Sequence, residues 1–535
     1  LALAACARPA TAPAPDNDWA ASGQAAVAQA RTQVPPGTRA RNVILFIGDG
    51  MGLSTVTAAR ILEGQRRGGH GEENRLAFEE LPFLALAKTY CTNLQVADSA
   101  CTATAMTTGV KTKAYAIGVD ERVAPGDWSS VAASRRRTLF EEAEARGLAT
   151  GIVTTTRITH ATPAAAYGHS PHRDWEDDTT LPADAREAGF PDLARQLVEF
   201  PSVDQRASAA GQRASAVDQR APAGDGIDVA FGGGRPQFLR RSQLDPERPE
   251  LTGARSDGRD LIAAWQGRHP EGVFVWNRDQ LRAIDPYDVG PVLGLFDSSH
   301  LAFEVDRARD VGGEPSLTEM TVKAIELLRR NPEGFVLMVE GGRIDQAHHL
   351  GNAYRALTDT IELSNAVRAA LAMTDPRDTL VVVTADHSHV LTIAGYPHRG
   401  NDILGKVVAL DEAGEPATRY LRDAIGRPFT TLSYANGPGY TGASPEQPEG
   451  AKRFPHLPTG YRGIARGRPD LTRVDTASPD YLQEATVPAR NETHGGEDVP
   501  VYAGGPGAEL FRGVQEQSYV FHAIVEALGW RPFPP

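Results

Sequence analysis

Four short apolar runs, each as long as a buried β-strand, constrain the fold of this chain more than any other feature. Apolar runs that do not alternate with polar residues are typical of parallel strands, because neither face of such a strand meets water. Helical patterns separate the runs, and the pattern over 316–330 begins with a capping box formed by Ser316 and Glu319. This order predicts an α/β fold with a doubly wound, mostly parallel sheet and helices on both faces. The four runs are 42–47, 151–154, 335–339 and 379–383.

Acidic residues lie just past the ends of three of these runs. Asp49 belongs to the glycine-rich turn after the first run, Glu340 follows the third, and Asp386 lies beyond the fourth. In doubly wound sheets, ligands bind outside the carboxyl ends of the strands. The three carboxylates are therefore predicted to converge on one edge of the sheet.

An Asp98-Ser99 pair opens a predicted helix of small residues. A serine at this position is a candidate nucleophile, although the same pair is also an ordinary helix N-cap. Acidic residues and histidines at metal-ligand spacings elsewhere in the chain favour the functional interpretation. Together with Ser99 they predict a two-zinc phosphate-ester hydrolase. These motifs are 48–52, 340–345 with His348 and His349, 384–389 and 492–498.

Composition and the first residues bear on the cellular compartment. The net charge of -13 argues against a nucleic-acid coat and against a basic membrane-surface protein. Leu3-Ala4-Ala5-Cys6 is similar to a bacterial lipoprotein cleavage box, which makes Cys6 a candidate for lipidation; a clipped signal tail is the alternative. We expect an extracytoplasmic protein, either periplasmic, anchored to the cell envelope or secreted. Cys91 and Cys101 could form a disulfide there, but sequence alone leaves their distance open.

Changes in composition along the chain predict its organisation. Residues 1–37 lack a core pattern and are expected to be a signal remnant and a flexible tether. Residues 38–395 and 490–535 are expected to form the α/β catalytic domain, with 396–489 as an inserted region resembling a lid or crown. The segment 201–222 repeats Gln-Arg-Ala and is expected to be a low-complexity insertion.

The motifs and the sequence between them resemble the alkaline phosphatase family, of the type found in animals and some bacteria. The resemblance runs from about Asn42 to the C-terminal helix and includes the connecting segments 295–296, 315–320 and 436–440. It implies hydrolysis of a broad range of small phosphate monoesters at alkaline pH. It also implies two Zn²⁺ ions, one Mg²⁺ ion and a homodimer with the inserted region near its interface.

The resemblance assigns ligands to these three ions. Imidazole and carboxylate ligands suit zinc, whereas a set made of oxygen atoms alone suits magnesium. Asp49 would be a ligand of two of the ions. The first zinc would bind Asp345, His349 and His494, the second zinc Asp49, Asp386 and His387, and the magnesium Asp49, Thr162 and Glu340.

The resemblance also assigns roles to individual side chains around the phosphate. Ser99 would form a phosphoserine intermediate, and the guanidinium of Arg173 would grip two non-bridging phosphate oxygens. His160 stands where some bacterial relatives carry an aspartate near the magnesium. Gln346 departs from the Lys or His of many relatives, so we expect one positive or titratable contact with the phosphate to be missing.

A fourth ion and two alternative functions complete these expectations. The resemblance also implies a peripheral calcium site, and hard oxygen ligands suit that ion; solvated surface acids are the alternative. A phosphodiesterase on the same scaffold is one alternative function, but Arg173 argues against it. A non-catalytic module that binds metal or phosphate is the other. The calcium ligands would be Glu247, Asp297, Glu314 and the carbonyl of Phe296.

Overall fold

A computed structural model of the chain describes residues 19–31, 39–200, 225–462 and 467–531. Cys6 and the repeat segment 201–222 lie outside the described residues. Among the described helices, none combines the length and the apolar character that crossing a membrane requires.

The centre of the fold is a ten-stranded sheet with strand order β15-β2-β14-β8-β1-β7-β3-β4-β6-β5. All of its strand pairs are parallel except those that β14 makes with β2 and β8. The strands are β1 Asn42–Gly48, β2 Phe83–Lys88, β3 Ala149–Arg157, β4 Val229–Gly233, β5 Val273–Val275, β6 Val292–Leu295, β7 Phe335–Gly341, β8 Thr379–Ala385, β9 Ser388–His389, β10 Leu391–Ile393, β11 Leu432–Gly437, β12 Ala485–Pro488, β13 His494–Gly495, β14 Val499–Gly504 and β15 Gly513–Glu516.

The three strands at the centre of the sheet are buried along their whole length. Every residue of β1, β7 and β8 is buried, which requires cover on both faces of the sheet. The predicted doubly wound α/β fold is confirmed. The helices are α1 Trp19–Arg31, α2 Leu53–Arg66, α3 Ser99–Thr108, α4 Val131–Ser134, α5 Leu139–Glu144, α6 Ala161–Tyr167, α7 Ala183–Glu187, α8 Leu193–Glu199, α9 Leu261–Arg268, α10 Arg278–Ala283, α11 Leu317–Leu328, α12 Arg343–His349, α13 Ala353–Met373 and α14 Tyr519–Ala527.

Local capping explains where several helices begin. The predicted capping box at α11 is present. The hydroxyl of Ser316 accepts from the backbone N–H of Glu319, and the carboxylate of Glu319 accepts from the backbone N–H of Ser316. At α3 the carboxylate of Asp98 accepts from the backbone N–H of Cys101. Ser99 is therefore the first residue of a helix whose start is fixed by its own N-cap.

Part of the segment predicted as a flexible tether is instead a helix. Helix α1 packs against α14, and Val27 is buried there. The guanidinium of Arg31 donates to Glu526 at 2.9 Å and to Glu509 at 3.1 Å. The alanine-rich sequence has high helix propensity, but its few apolar residues become a buried face only when α14 is beside it.

In its described residues, the inserted region contains two strands, β11 and β12. Strands β10, β11 and β12 form a small three-stranded sheet, and β9 pairs with β13. This pairing places His494 opposite His389, so the chain returns from the inserted region directly to the end of β8. The boundaries 396 and 489 stay a prediction.

Candidate metal centre and nucleophile

The three strand-end carboxylates meet at one edge of the sheet, as predicted. Strand β1 lies between β7 and β8, and Ile47 is in register with Glu340 on one side and Thr384 on the other. Asp49, Glu340 and Asp386 all have side chains that are completely buried. Adjacent parallel strands therefore bring three acids together in the interior of the protein.

Ser99 lies at this cluster, at the start of α3. Its hydroxyl is 3.2 Å from Nε2 of His387, and only 2% of the residue is exposed. The same Nε2 atom lies 3.4 Å from Oδ1 of Asp49 and 3.3 Å from Oδ2 of Asp386. The structure thus brings together the four residues predicted for the nucleophile and the second zinc.

A second group forms around Asp345 on α12. Nε2 of His349 lies 3.3 Å from Oδ1 of Asp345, and Nε2 of His494 lies 3.4 Å from the same oxygen. The two Nε2 atoms are 3.2 Å apart. Asp345 and His349 are one helical turn apart, whereas His494 arrives from β13. Two ring nitrogens and a carboxylate oxygen directed at one point are a suitable donor set for a borderline-soft cation.

His389 and Glu492 also belong to this group; both lie inside the predicted motifs 384–389 and 492–498, but neither was predicted as a ligand. Nε2 of His389 lies 2.8 Å from Oδ1 of Asp345, and its Nδ1 contacts Glu492 at 2.5 Å. Burial lowers the pKa of His389, but the carboxylates of Glu492 and Asp345 raise it to about 10. Both residues lie within two positions of a predicted ligand, and this is the signal that would have found them.

His348 does not join the cluster, although it precedes a predicted ligand. Its Nε2 lies 3.0 Å from the hydroxyl of Thr55, and its Nδ1 lies 2.7 Å from that of Tyr434. Its ring stacks on that of His389, with centroids 4.7 Å apart, but hydroxyl groups occupy both of its nitrogens, so it is a buried structural histidine that offers no nitrogen to the cluster.

A third group combines Asp49 with Glu340 and includes His160 nearby. Atoms of these three side chains lie within 4.8 Å of one another. Thr162, predicted for the magnesium set, is completely buried in α6. The hydroxyl of Thr156 donates to Oε2 of Glu340 at 3.1 Å, and that of Thr154 also donates to it. Oε2 of Glu340 therefore accepts two hydrogen bonds, while Oε1 has no hydrogen-bond partner among the described residues.

Several oxygens of the cluster are buried without a hydrogen-bond partner in the described part of the chain. They are both carboxylate oxygens of Asp49, Oε1 of Glu340 and Oδ2 of Asp386. Burial and the neighbouring carboxylates raise the pKa of Asp49 well above its ordinary value, and burial raises that of Glu340 to about 7. Buried acids of this kind need nearby positive charge in order to ionise. The donor set therefore fits bound divalent cations.

This electrostatic arrangement predicts how pH affects the protein after its divalent ions are removed. We expect the thermal midpoint of the stripped form to fall relative to the loaded form as pH rises through about 7. A raised pKa means that folded Glu340 holds its proton more tightly than the unfolded chain does. Its contribution to stability is thus present below the ordinary pKa and is lost above the raised one.

Differential scanning calorimetry between pH 5 and 8 would measure both forms. Subtracting the midpoint of the loaded form from that of the stripped form removes the pH dependence that both forms share, such as that of buried Glu144. A stripped form that gains stability relative to the loaded form over this range would contradict the assignment.

Arg173 lies beside the nucleophile and is held from two sides. Its Nη1 donates to Oδ2 of Asp98 at 3.0 Å, and its Nη2 lies 3.0 Å from Nε2 of His160. Asp98 thus caps the helix of Ser99 with one oxygen and holds the guanidinium with the other. His160, which was predicted to lie near the magnesium, contacts Arg173 here.

Gln346 does not point freely toward this cluster. Its side-chain amide nitrogen lies 2.9 Å from Nδ1 of His300, and its oxygen accepts from Arg343. His300 in turn contacts Arg157 at 2.6 Å. His300 lies in no sequence motif and was not predicted, because only the tertiary fold brings β6 and its following loop beside α12.

The acids predicted for calcium form a separate group. Burial, with nearby Asp297 and Asp310, raises the pKa of Glu314 to about 9. Oε1 of Glu247 and Oε1 of Glu314 are buried without a hydrogen-bond partner among the described residues. The buried guanidinium of Arg235 binds the other oxygen of Glu247. The backbone N–H of Phe296 donates to Gly232, with the ring packed in the core.

A doubly wound sheet with a buried serine, an arginine and acid–histidine clusters at its carboxyl edge defines a metal-dependent phosphate-ester hydrolase. The alkaline phosphatase family model matches residues 40–205 and 200–530. The chain belongs to the alkaline phosphatase family, which is metal-dependent and hydrolyses phosphate monoesters. The resemblance seen in the sequence is confirmed.

Sequence relatives cover most of the chain. The alkaline phosphatase of Gadus morhua is 41% identical over 518 residues, which are 96% of this chain and 96% of that protein. The tissue-nonspecific isozyme of Gallus gallus is 43% identical over 495 residues, 91% of this chain and 84% of the relative. That of Homo sapiens is 40% identical over 494 residues, 91% of this chain and 83% of the relative.

Solved structures of bacterial alkaline phosphatases share the fold. The enzyme of the Antarctic bacterium TAB5 matches with a TM-score of 0.55 and 21% identity, covering 92% of this chain and 99% of the other. The Thermus thermophilus enzyme matches with a TM-score of 0.59 and 23% identity, covering 93% and 94%. These similarities support the same doubly wound architecture.

Proposed function

We propose that this phosphate monoesterase works through a phosphoserine intermediate at Ser99. The observation that carries the proposal is the position of the Ser99 hydroxyl, 3.2 Å from His387 and within the buried cluster of acids and imidazoles. A serine hydroxyl is a weak nucleophile unless its environment favours the alkoxide. The cluster supplies that environment when it holds cations.

Three ligand sets would hold the ions. Mixed imidazole and carboxylate donors favour Zn²⁺ for two sets, and oxygen donors favour Mg²⁺ for the third. When bound, the ions lower the pKa of the serine hydroxyl and offset the negative charge of the phosphate. A solved variant of the Antarctic enzyme, with a histidine replaced by aspartate, holds Mg in its M3 site. The sets are Asp345, His349 and His494; Asp49, Asp386 and His387; and Asp49, Thr162 and Glu340.

The side chains of the protein carry out a double displacement. The hydroxyl of Ser99 gives up its proton and its oxygen forms a bond to phosphorus, while the bond to the alcohol oxygen breaks on the opposite side and that oxygen takes up a proton. Water then attacks the phosphoserine, the bond between phosphorus and Oγ breaks, a proton from the water returns to Oγ, and inorganic phosphate leaves. Arg173 has a planar fork that matches two phosphate oxygens and stays fixed because Asp98 holds it at 3.0 Å. Broad substrate tolerance is part of this proposal, since the side chains assigned here act on the phosphate and none is assigned to the alcohol.

Paired hydrolysis of p-nitrophenyl phosphate and its bis-ester, from neutral to alkaline pH, tests the function. We expect rapid turnover of the monoester at alkaline pH and little turnover of the bis-ester. A diester presents fewer charged oxygens to Arg173, so preference for the bis-ester would support a phosphodiesterase. Tight phosphate binding with no turnover of either ester would support a non-catalytic binding module.

Substitution of Arg173 tests the proposed phosphate clamp. We expect Arg173→Ala to lower kcat/KM by about 10²-fold or more, and Arg173→Lys to recover only part of the loss, since lysine provides charge without the fork. Inhibition by inorganic phosphate should weaken in parallel. Arg186→Ala, on α7 and outside the cluster, is the matched control. Equal activity of Arg173→Lys and wild type would show that fork geometry is unimportant.

We also propose that Glu247, Asp297, Glu314 and the carbonyl of Phe296 bind Ca²⁺. Support comes from the unpaired buried oxygens of Glu247 and Glu314 and from the raised pKa of Glu314. The ionic bond between Arg235 and Glu247 competes with this role, because it already neutralises one carboxylate.

Removal of one proposed calcium ligand is expected to lower calcium content and stability together. Glu247→Gln should lose about one bound calcium per chain and lower the thermal midpoint by several degrees in calcium-containing buffer. Elemental analysis and calorimetry measure the two effects, with the exposed Glu250→Gln as the control. Unchanged calcium content and midpoint would remove the site.

A homodimer with the inserted region at its interface is a further proposal. Tyr396, Leu410 and Ile425 of this region are exposed by 93%, 56% and 60%. We take these three side chains to form one apolar patch at the interface, since contiguous exposed apolar patches, unlike isolated apolar side chains, mark interaction surfaces. Light scattering should give a dimer that Tyr396→Asp weakens and that Tyr287→Asp, exposed elsewhere, leaves intact.

We propose that Cys6 carries lipid and that the catalytic domain, 38–395 with 490–535, lies outside the cytoplasm, in the periplasm, on the cell envelope or secreted. Support comes from the cleavage-box pattern of residues 3–6. Mass spectrometry of the native protein tests this: a lipid mass at Cys6 is expected, and an unmodified N-terminal peptide would contradict it.

A further inference from the structure

A disulfide closes a loop around the proposed nucleophile. It joins Cys91, after β2, to Cys101 in the first turn of α3, with a sequence separation of 10. Both cysteines are buried, with 3% and 2% exposed. Residues 91–101, here called the nucleophile ring, contain Ser99. The crosslink therefore acts on the same helical turn that presents the Ser99 hydroxyl.

Residues of the nucleophile ring hold two other parts of the active site. Oδ1 of Asp98 accepts from the backbone N–H of Tyr115 at 2.9 Å, and Oδ2 accepts from Arg173 at 3.0 Å. The carbonyl of Ala97 lies 2.7 Å from Nδ1 of His494. Three consecutive ring residues thus serve the active site: Ala97 contacts a proposed zinc ligand, Asp98 holds the phosphate clamp, and Ser99 is the proposed nucleophile.

The middle of the nucleophile ring is exposed and is held by a few hydrogen bonds, among them the backbone pair between Cys91 and Leu94. Residues 93–96 are exposed, including the apolar side chains of Leu94 and Val96. Its anchors include the carboxamide oxygen of Asn93, which accepts from Ala114 at 2.8 Å, and the N–H of Thr92, which donates to Thr112 at 3.0 Å. An exposed loop with few anchors samples several conformations unless a crosslink restricts it. The disulfide is the strongest restriction on this loop.

We propose that the Cys91–Cys101 disulfide is a positioning element for catalysis, in addition to any effect on stability. The inference rests on the proposed roles of Ser99 and Arg173. With the bond intact, Ala97, Asp98 and Ser99 stay in register with their partners. Reduction breaks the Sγ–Sγ bond and adds two electrons and two protons to give two thiols. The ring then loosens and turnover falls while the ten-stranded sheet remains folded.

Kinetics of the oxidised and reduced enzyme test this proposal. A phosphine reductant is suitable, since it becomes a phosphine oxide by taking oxygen from water. Zinc and magnesium are kept in excess, and thiol alkylation with mass spectrometry counts the reduced chains. We expect reduction to lower kcat for p-nitrophenyl phosphate by about 10-fold to 100-fold, because small misplacements of reacting groups have effects of this size. Inhibition by phosphate should weaken, far-ultraviolet circular dichroism should stay the same, and reoxidation should restore kcat.

Variants separate loss of the crosslink from other effects of the reductant. Cys91→Ala leaves the turn that carries Ser99 unaltered and should reproduce the low kcat of the reduced enzyme. The double variant Cys91→Ser/Cys101→Ser should have the same low kcat as Cys91→Ala, and the phosphine should not change it. That result would exclude removal of metal by the reductant as the cause of the lower kcat. If the disulfide resists reduction, or if one variant does not fold, kcat of the other form without the crosslink is still compared with that of the oxidised enzyme. Val292→Ala, in the buried strand β6, should lower the thermal midpoint without lowering kcat at 25 °C.

Three outcomes can be distinguished. A reduced enzyme and a Cys91→Ala variant with the kcat of the oxidised enzyme and only a lower thermal midpoint would overturn the proposal, because the disulfide would then be a stabilising crosslink alone. A lower kcat in both forms, with metal content unchanged, would support it. An oxidised wild type that hydrolyses no monoester would instead contradict the proposed function.

Discussion

Ser99→Ala is expected to lower kcat for p-nitrophenyl phosphate by at least about 10³-fold and to abolish the covalent intermediate. Loss of an enzyme's nucleophile removes a reaction path and is among the most damaging of single substitutions. Ser99 is 2% exposed, and its hydroxyl lies 3.2 Å from Nε2 of His387. Loss of one oxygen at the first residue of α3 should leave the fold intact.

Trapping with labelled phosphate at acidic pH measures the intermediate directly. The label should appear on the Ser99 peptide of the wild type and be missing from Ser99→Ala. Ser129→Ala, an exposed serine on another turn, should keep both the label and full turnover. Label retained by Ser99→Ala would move the nucleophile to another residue. Unchanged metal content and circular dichroism would exclude loss of the site through misfolding.

Removal of divalent ions is expected to abolish turnover and to lower the thermal midpoint by more than about 10 °C. Asp49, Glu340 and Asp386 are completely buried, and without cations their charges repel each other or take up protons. Ions that bind only the folded state stabilise it by mass action. Both losses should therefore appear together on chelation.

Add-back of single ions distinguishes the ligand sets. Zn²⁺ should restore most of the activity, and Mg²⁺ added afterwards should raise it further; Mg²⁺ alone should restore little. Asp345→Asn should bind less zinc and stay inactive after add-back, whereas Glu340→Gln should lose chiefly the response to Mg²⁺. Full activity in protein shown by elemental analysis to be metal-free would contradict the proposed centre. Recovery with calcium alone would contradict the assignment of zinc.

Much of the fold was predictable because its signals are local. Strand β1 is an unbroken apolar run, and Ser316 and Glu319 are three residues apart, so neither feature needs distant contacts to be recognised. Asp49, Glu340 and Asp386 could be placed on one edge, since parallel strands in a doubly wound sheet end at the same side. The residues predicted around them do meet there in the structure.

Contacts between distant segments were beyond the reach of these signals. His348 and His349 are adjacent in sequence, yet one contacts Thr55 and Tyr434 while the other faces Asp345. Helix phase separates the two rings, but only the packing of α12 decides which side holds the cluster. His389 joins Asp345 to Glu492 through contacts that span 44 and 103 residues of sequence.

The sequence by itself thus determined the strands, the acids at their ends, the nucleophile candidate and the family. Tertiary structure alone decided that 19–31 form a helix against α14, that His389 and Glu492 belong to the cluster, and that Cys91 and Cys101 are joined. The physical reason is that periodicity and capping act over a few residues. The distance between two side chains, in contrast, depends on how every intervening element packs.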